Sequence, residues 1–171
     1  MRTALDADAE KLDEHEREFV NIVREHGWHR MNVFEDEEGP GFNYTTGFWL
    51  AGFPEIIVFA MKPEIVSHVM WELYRSQKSG RSYPEAAITN EIFANLPACL
   101  LPVSKKHFRE YLGWSRWFYG GDSFACLQLV WSDRQGNFPW HQDFSSEFDG
   151  LQPDLSDGQW AGFGAPPLGR R

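Results

Sequence analysis

Residues 124–131 have the sequence FACLQLVW, and this stretch decides how the rest of the chain is interpreted. Successive side chains of a β-strand point to opposite faces. In this stretch both alternating sets are apolar, except at Gln128. A strand that is apolar on both faces is typical of the interior of a sheet. The stretch therefore predicts a central strand that carries one buried amide.

The amide of Gln128 has two interpretations. A buried amide needs hydrogen-bond partners. It can hold neighbouring backbone in place, or it can orient a ligand. We favour the structural role, because most side-chain hydrogen bonds are made to backbone or water. Gln128 is kept as a candidate ligand-binding residue beside that interpretation.

The chain is expected to turn directly after the central strand. Residues 133–136 read DRQG, with Asp at the first and Gly at the fourth position of a type I turn. Asp133 is explained as a turn former, and an acid–base role is the alternative. Residues 138–140, FPW, are expected to resume extended structure. Because Pro139 has no N–H to donate, that segment is expected to be an edge strand or to be leaving the sheet already.

Periodic apolar patterns predict the remaining elements. Strands are expected near residues 28–34, 42–48, 55–60 and 98–103, and helices near residues 7–26, after Pro63 and after Ser104. The order of strand, helix and strand across residues 55–103 further suggests a right-handed crossover unit. The predicted fold class is α+β, with a mixed, mostly antiparallel sheet of about five or six strands and three helices packed on it. Residues 1–160 are expected to form one domain, and residues 161–171 a loosely ordered tail.

Charge and composition exclude several classes of function. The formal net charge of −9 argues against nucleic acid and against an anionic membrane surface as partners. The first residues lack the apolar segment of a signal peptide, and no apolar run approaches the length of a membrane span. We therefore expect a cytoplasmic protein. Cys99 and Cys126, the two cysteines, are expected to be buried free thiols, with a disulfide left open.

Aromatic residues make up 16% of the chain and can line a ligand pocket as well as a core. Pockets combine apolar walls with a few polar groups. The candidate ligand-binding residues that bring such walls and groups are Tyr44, Thr45, Gln128, Trp131 and Trp140. Core packing explains many of the aromatic residues equally well, so the pocket and the core interpretation both stay open.

Candidate catalytic residues are few, because no nucleophile elbow and no phosphate-binding motif is present. His107, Tyr119 and Asp133 are the candidate acid–base group, and they require that the fold brings them together. The segment His141-Gln142-Asp143, near Asp133, could also supply two or three ligands of an open metal site. The histidine spacing lacks the helical His-Glu-x-x-His pattern, so no metal ligand is assigned, and the cofactor is unknown.

A series of short motifs occurs in a fixed order along the chain. The motifs are Gly27-Trp28, Tyr44-Thr45-Thr46-Gly47, Pro54-Glu55, Phe118-Tyr119-Gly120, residues 127–133 (LQLVWSD), residues 136–140 (GNFPW) and Gln152-Pro153. Over roughly residues 16–155 the chain resembles the bacterial family called domain of unknown function 4262. Ser132 departs from the pattern, which more often has Pro before the Asp. The resemblance implies a domain of this extent and no established reaction.

Three functions therefore stay open. The first is a module that binds a small molecule or a protein partner. The second is a hydrolase-type enzyme with an acid–base or metal-assisted site around Asp133, His141 and His107. The third is an accessory or immunity-type protein that acts by docking to a partner. The absence of catalytic motifs favours the first, and the sequence leaves the oligomeric state open.

Overall fold

A mixed sheet of six strands lies in the middle of the molecule. The computed structural model describes residues 1–158 and residue 160, so the predicted tail at 161–171 lies outside the described residues. The strands are β1 (His29–Val33), β2 (Phe42–Thr46), β3 (Glu55–Phe59), β4 (Ile88–Thr89), β5 (Ala98–Pro102) and β6 (Cys126–Trp131). Their order in the sheet is β1-β2-β3-β6-β5-β4. This single α+β domain confirms the predicted fold class.

Strand β6 is central, as its sequence predicts. It pairs with β3 in parallel and with β5 in antiparallel orientation. All of its residues are buried except Trp131, which is half-buried. The pairing of β3 with β6 is parallel, and the other ladders between named strands of the described residues are antiparallel. The carboxyl ends of β3 and β6 consequently lie side by side at one end of the sheet.

Within the described residues, four α-helices accompany the sheet: α1 (Glu14–His26), α2 (Pro63–Lys78), α3 (Phe108–Tyr111) and α4 (Gly113–Tyr119). Helix α1 begins later than predicted, because Asp13 and Glu16 form a capping box at its start. The third predicted helix is divided into α3 and α4. Leu112, between them, has φ −117° and ψ 40°, outside the helical region.

The helices cover both faces of the sheet. Helix α2 packs the apolar stripe Val66, Val69, Met70 and Leu73 against one face. Burial of each such side chain contributes about 1.5–3 kcal/mol. Residues of α1, α3 and α4 pack on the opposite face, in a second core cluster. None of the helices in the described part of the chain is long and apolar enough to cross a membrane.

Two predicted details are wrong. Strand β5 runs antiparallel to β6 and therefore also to β3, so residues 55–103 do not form a right-handed crossover between parallel strands. Residues 138–140 form a turn outside the sheet instead of resuming extended structure, since the His141 N–H donates to the Phe138 carbonyl at 2.8 Å. Cys99 and Cys126 are buried free thiols, as expected.

Candidate functional site

Two of the predicted site residues, Thr45 and Tyr119, meet at a buried carboxylate. Glu55, the first residue of β3, is 0% exposed. The Thr45 hydroxyl donates to its Oε2 at 2.6 Å, and the Tyr119 hydroxyl donates to its Oε1. The backbone N–H groups of residues 47–49 also donate to this carboxylate, over 2.9–3.3 Å. Five donors therefore converge on one side chain, and Glu55 holds β2, β3 and α4 together.

The backbone after β2 is shaped to aim these N–H groups. Gly47 has φ 119°, a conformation that L side chains rarely adopt. A Cβ at this position would lie 2.4 Å from the Gly27 carbonyl oxygen. The chain then enters a 3-10 turn at Trp49–Ala51. A glycine is thus required for the close approach of this loop to the backbone of Gly27 and Trp28.

Burial raises the pKa of Glu55, and the hydrogen bonds from Thr45, Tyr119 and the loop oppose this shift. Burial also raises the pKa of Tyr119, and the neighbouring Glu55 adds to that effect. Tyr119 therefore keeps its proton and acts as a donor. Because Glu55 is closed off from solvent, its carboxylate binds the loop and does not face a substrate. The catalytic role expected of Tyr119 stays a prediction, with a structural role now visible beside it.

Gln128 is hydrogen-bonded to the backbone of a later segment. Its Nε2 donates to the Pro153 carbonyl at 2.8 Å, and its Oε1 accepts the Leu155 N–H at 3.4 Å. Both ends of the amide are occupied, and the side chain is 1% exposed. Gln128 thus fastens residues 153–155 to the middle of the sheet, which is the structural role that the sequence favours.

Asp133 organises the loop that follows β6. Its carboxylate accepts backbone N–H groups from Gln135 and Asn137 at 2.9 Å and from Ser145 at 3.0 Å. The Gly136 N–H donates to the Asp133 carbonyl at 3.1 Å, which closes the predicted turn. Burial by itself would raise the pKa of Asp133, but these N–H donors outweigh it and hold the pKa below its usual range.

The two candidate histidines have partners of their own. His141 Nδ1 accepts the Phe138 N–H at 3.0 Å, so its neutral ring carries the proton on Nε2. His107 Nε2 lies 3.1 Å from the Asp157 carboxylate. No hydrogen bond between described residues joins His107, Tyr119 or Asp133 to one another. Among residues 1–158 and 160, no three His, Cys, Asp or Glu side chains form a group that could hold a metal ion.

The aromatic candidates differ in their surroundings. The Tyr44 hydroxyl accepts the Trp114 N–H at 3.1 Å and so connects β2 to α4. Burial raises the pKa of Tyr44 to about 12. The Trp140 ring stacks on Phe138 at 4.8 Å. Trp131 instead lines a groove of about 460 Å³.

This groove lies where β3 and β6 end and where α2 begins. Its apolar lining comprises Met61, Ile65, Phe93, Leu96, Trp131 and Phe148. The Trp131 indole N–H donates to the Phe59 carbonyl at 2.8 Å, which fixes the ring in the wall. The polar side chains in the lining are Lys62, Asn95 and Ser132. We call this cavity the strand-end groove.

Among the residues that line the strand-end groove, Trp131 is one of the ligand-binding residues predicted from the sequence, and the other lining residues are not. Phe93 lies in an irregular segment, and Phe148 in the polar region after residue 143, so neither belongs to a periodic pattern. A signal for the location was present, however. A buried strand ends directly before the helix that starts at Pro63, and such junctions frame many ligand sites. Glu55 is named in the sequence analysis as part of the motif Pro54-Glu55, and not as a candidate site residue.

A comparison with family models identifies the chain. The model "Domain of unknown function (DUF4262)" matches residues 22–145, so the chain belongs to this family. Neither the comparison with curated proteins nor the comparison with solved structures finds a match. The family has no established function.

Proposed function

We propose that this protein is a binding module for a small, largely apolar molecule, and that the strand-end groove is its ligand site. The observation that carries the proposal is the position of the groove at the carboxyl ends of the parallel strands β3 and β6. In open α/β sheets, ligands bind in the crevice outside the carboxyl ends of parallel strands, and β3 and β6 are a parallel pair. The volume of about 460 Å³ also lies in the range of ligand pockets.

The lining supports an apolar ligand. Ile65 is 48% exposed, although apolar side chains of this size are usually buried. Phe148 packs edge-on against Trp131, with ring centroids 5.4 Å apart. A flat aromatic or alicyclic molecule would cover these surfaces and gain the free energy of apolar burial. Lys62 and Asn95 supply the polar groups that would orient one end of it.

A strained backbone position in the lining is a second support. Ala60, directly after β3, has φ 51°. A residue other than glycine in this conformation costs roughly 1–2 kcal/mol. The Ala60 N–H donates to the Gly41 carbonyl at 2.8 Å, which holds the turn. Backbone strain of this kind clusters at binding and switch sites.

The proposal is tested with the fluorescent probe 1-anilinonaphthalene-8-sulfonate, which binds apolar sites. Titration of the native protein should give saturable enhancement of fluorescence. The variant Ile65→Glu places a charge in the groove and should weaken binding by about tenfold or more. The control Ile88→Glu makes the same change at an edge-strand residue of similar exposure, 39%, that does not line the groove.

The control Ile88→Glu should bind the probe as the natural protein does. Circular dichroism of both variants would establish that they remain folded, since the probe also binds partly unfolded chains. Equal weakening by the two variants, or no saturable binding by the natural protein, would contradict the proposed site.

A further inference from the structure

A second cleft lies at Phe59, next in sequence to Ala60 of the strand-end groove, and shares no lining residue with that groove. It is formed by the turn after β1, by β2 and β3, and by α3, and it encloses about 380 Å³. The residues that define it are Phe34, Asp36, Glu38, Phe42, Glu110 and Tyr111. We call it the acidic cleft. Its walls are aromatic and its charged side chains are all carboxylates.

The aromatic rings of the acidic cleft stand at steep angles to one another. The Tyr111 ring makes an angle of 76° with Phe42 and of 83° with Phe59, at centroid distances of 5.3 and 5.4 Å. Phe34, at the rim, is 79% exposed. Each ring carries a negative potential on its face that attracts cations. Because these rings contact one another edge to face and Phe59 is 1% exposed, a cationic group in the cleft would meet the open surfaces of Phe34, Phe42 and Tyr111.

Three carboxylates add negative charge to the same cleft. Asp36 Oδ1 accepts the N–H groups of Glu38 and Gly39, at 2.8 and 3.2 Å, which fixes the turn and brings Glu38 to the lining. Glu110 lies beside Tyr111, where burial first and then this neighbouring charge raise the pKa of the tyrosine. In the described part of the chain, Asp36, Glu38 and Glu110 form no ion pair with a basic side chain.

The arrangement of these charges favours one class of ligand. Among residues 1–158 and 160, no three metal-ligating side chains are close enough to coordinate one ion. The carboxylates therefore line the cleft together with the aromatic side chains and do not form a coordination shell. A cation with an apolar surface would use both features, since the rings contact its alkyl groups and the carboxylates neutralise its charge.

We propose that the acidic cleft is a binding site for a small organic cation with an alkylated or quaternary ammonium group. The proposal is independent of the strand-end groove, so failure of either leaves the other standing. The probe for the test is choline, and the matched neutral probe is 3,3-dimethylbutan-1-ol, which has the same shape without the charge. Both are titrated by isothermal calorimetry at roughly 0.15 M salt, where diffuse attraction between distant charges is screened.

Choline should bind with an affinity about tenfold or more above that of the neutral alcohol. The variants Glu110→Gln and Glu38→Gln should each weaken choline binding by about fivefold. The matched control is Glu37→Gln, because Glu37 lies in the same exposed turn but does not line the cleft. This control should change choline affinity by less than about twofold.

Tyr111→Leu tests the ring while it keeps an apolar side chain, and it should reduce choline affinity by about fivefold with little change for the neutral alcohol. Equal affinity for choline and the alcohol would overturn the proposal. So would the absence of choline binding, or a loss in Glu37→Gln as large as in Glu110→Gln. Thermal unfolding of each variant would separate lost binding from lost folding.

Discussion

The hydroxyl of Tyr119, at the end of α4, donates a hydrogen bond to the carboxylate of Glu55, at the start of β3. The two residues are 64 positions apart in the sequence, and both are buried. The same carboxylate accepts the backbone N–H groups of residues 47–49. One side chain therefore fixes the loop after β2, the start of a central strand and a helix of the covering layer.

Replacement of Glu55 by Gln should strongly destabilise the fold. Because all five partners of the carboxylate donate, the amide NH₂ of Gln would face donors and leave at least one of them without an acceptor. We expect a loss of about 3 kcal/mol in the free energy of unfolding. Urea denaturation of Glu55→Gln measures it, with the exposed Glu37→Gln as control, expected within about 0.5 kcal/mol of the natural protein. A stable Glu55→Gln variant would refute the structural role.

The stability contributed by Asp133 should depend on pH. Its pKa in the folded protein lies below the ordinary value of 3.8, because backbone N–H donors outweigh the effect of burial. The carboxylate therefore stabilises the fold fully above pH 3.8, and this contribution is lost as the pH falls through the folded pKa. Asp133→Asn should cost about 2 kcal/mol at neutral pH. In denaturant titrations, the difference from the natural protein should shrink below pH 3.8, and a difference that grows there would contradict the assignment.

Gln128 is expected to matter for stability and not for ligand binding. The variant Gln128→Met keeps the volume of the side chain but leaves the Pro153 carbonyl and the Leu155 N–H without their partner. We expect a loss of about 2 kcal/mol and faster hydrogen exchange at the Leu155 amide. The fluorescent probe should bind this variant as it binds the natural protein. Weaker binding of the probe with unchanged hydrogen exchange would instead support a ligand role for Gln128.

Local patterns predicted much of this fold. The apolar runs at β3 and β6 identified the two central strands, because burial on both faces leaves a continuous apolar signature. The stripe of α2 and the turn at Asp133 were also visible. These features depend on residues close in sequence, and the family motifs added the extent of the domain.

The features that were missed depend on distant contacts. The insertion of β6 between β3 and β5 reverses the expected relation of β3 to β5, and no local pattern reports it. Four of the five donors around Glu55 come from residues 45–49, but the fifth, Tyr119, lies 64 positions away. The strand-end groove likewise combines Ile65, Phe93 and Phe148, which lie far apart in sequence. Candidate catalytic and binding residues could be selected from the sequence. Which of them are in contact is decided by the fold.

The central claim is that the strand-end groove receives a small apolar molecule, and the indole N–H of Trp131 reports on it most directly. In ¹H–¹⁵N spectra of the labelled protein, each tryptophan indole gives its own signal, and Trp131→Phe assigns the one in the groove wall. We predict that 1-anilinonaphthalene-8-sulfonate shifts the Trp131 signal progressively and to saturation, and that Ile65→Glu abolishes this shift. A Trp131 signal that stays in place while another indole signal moves would contradict the account.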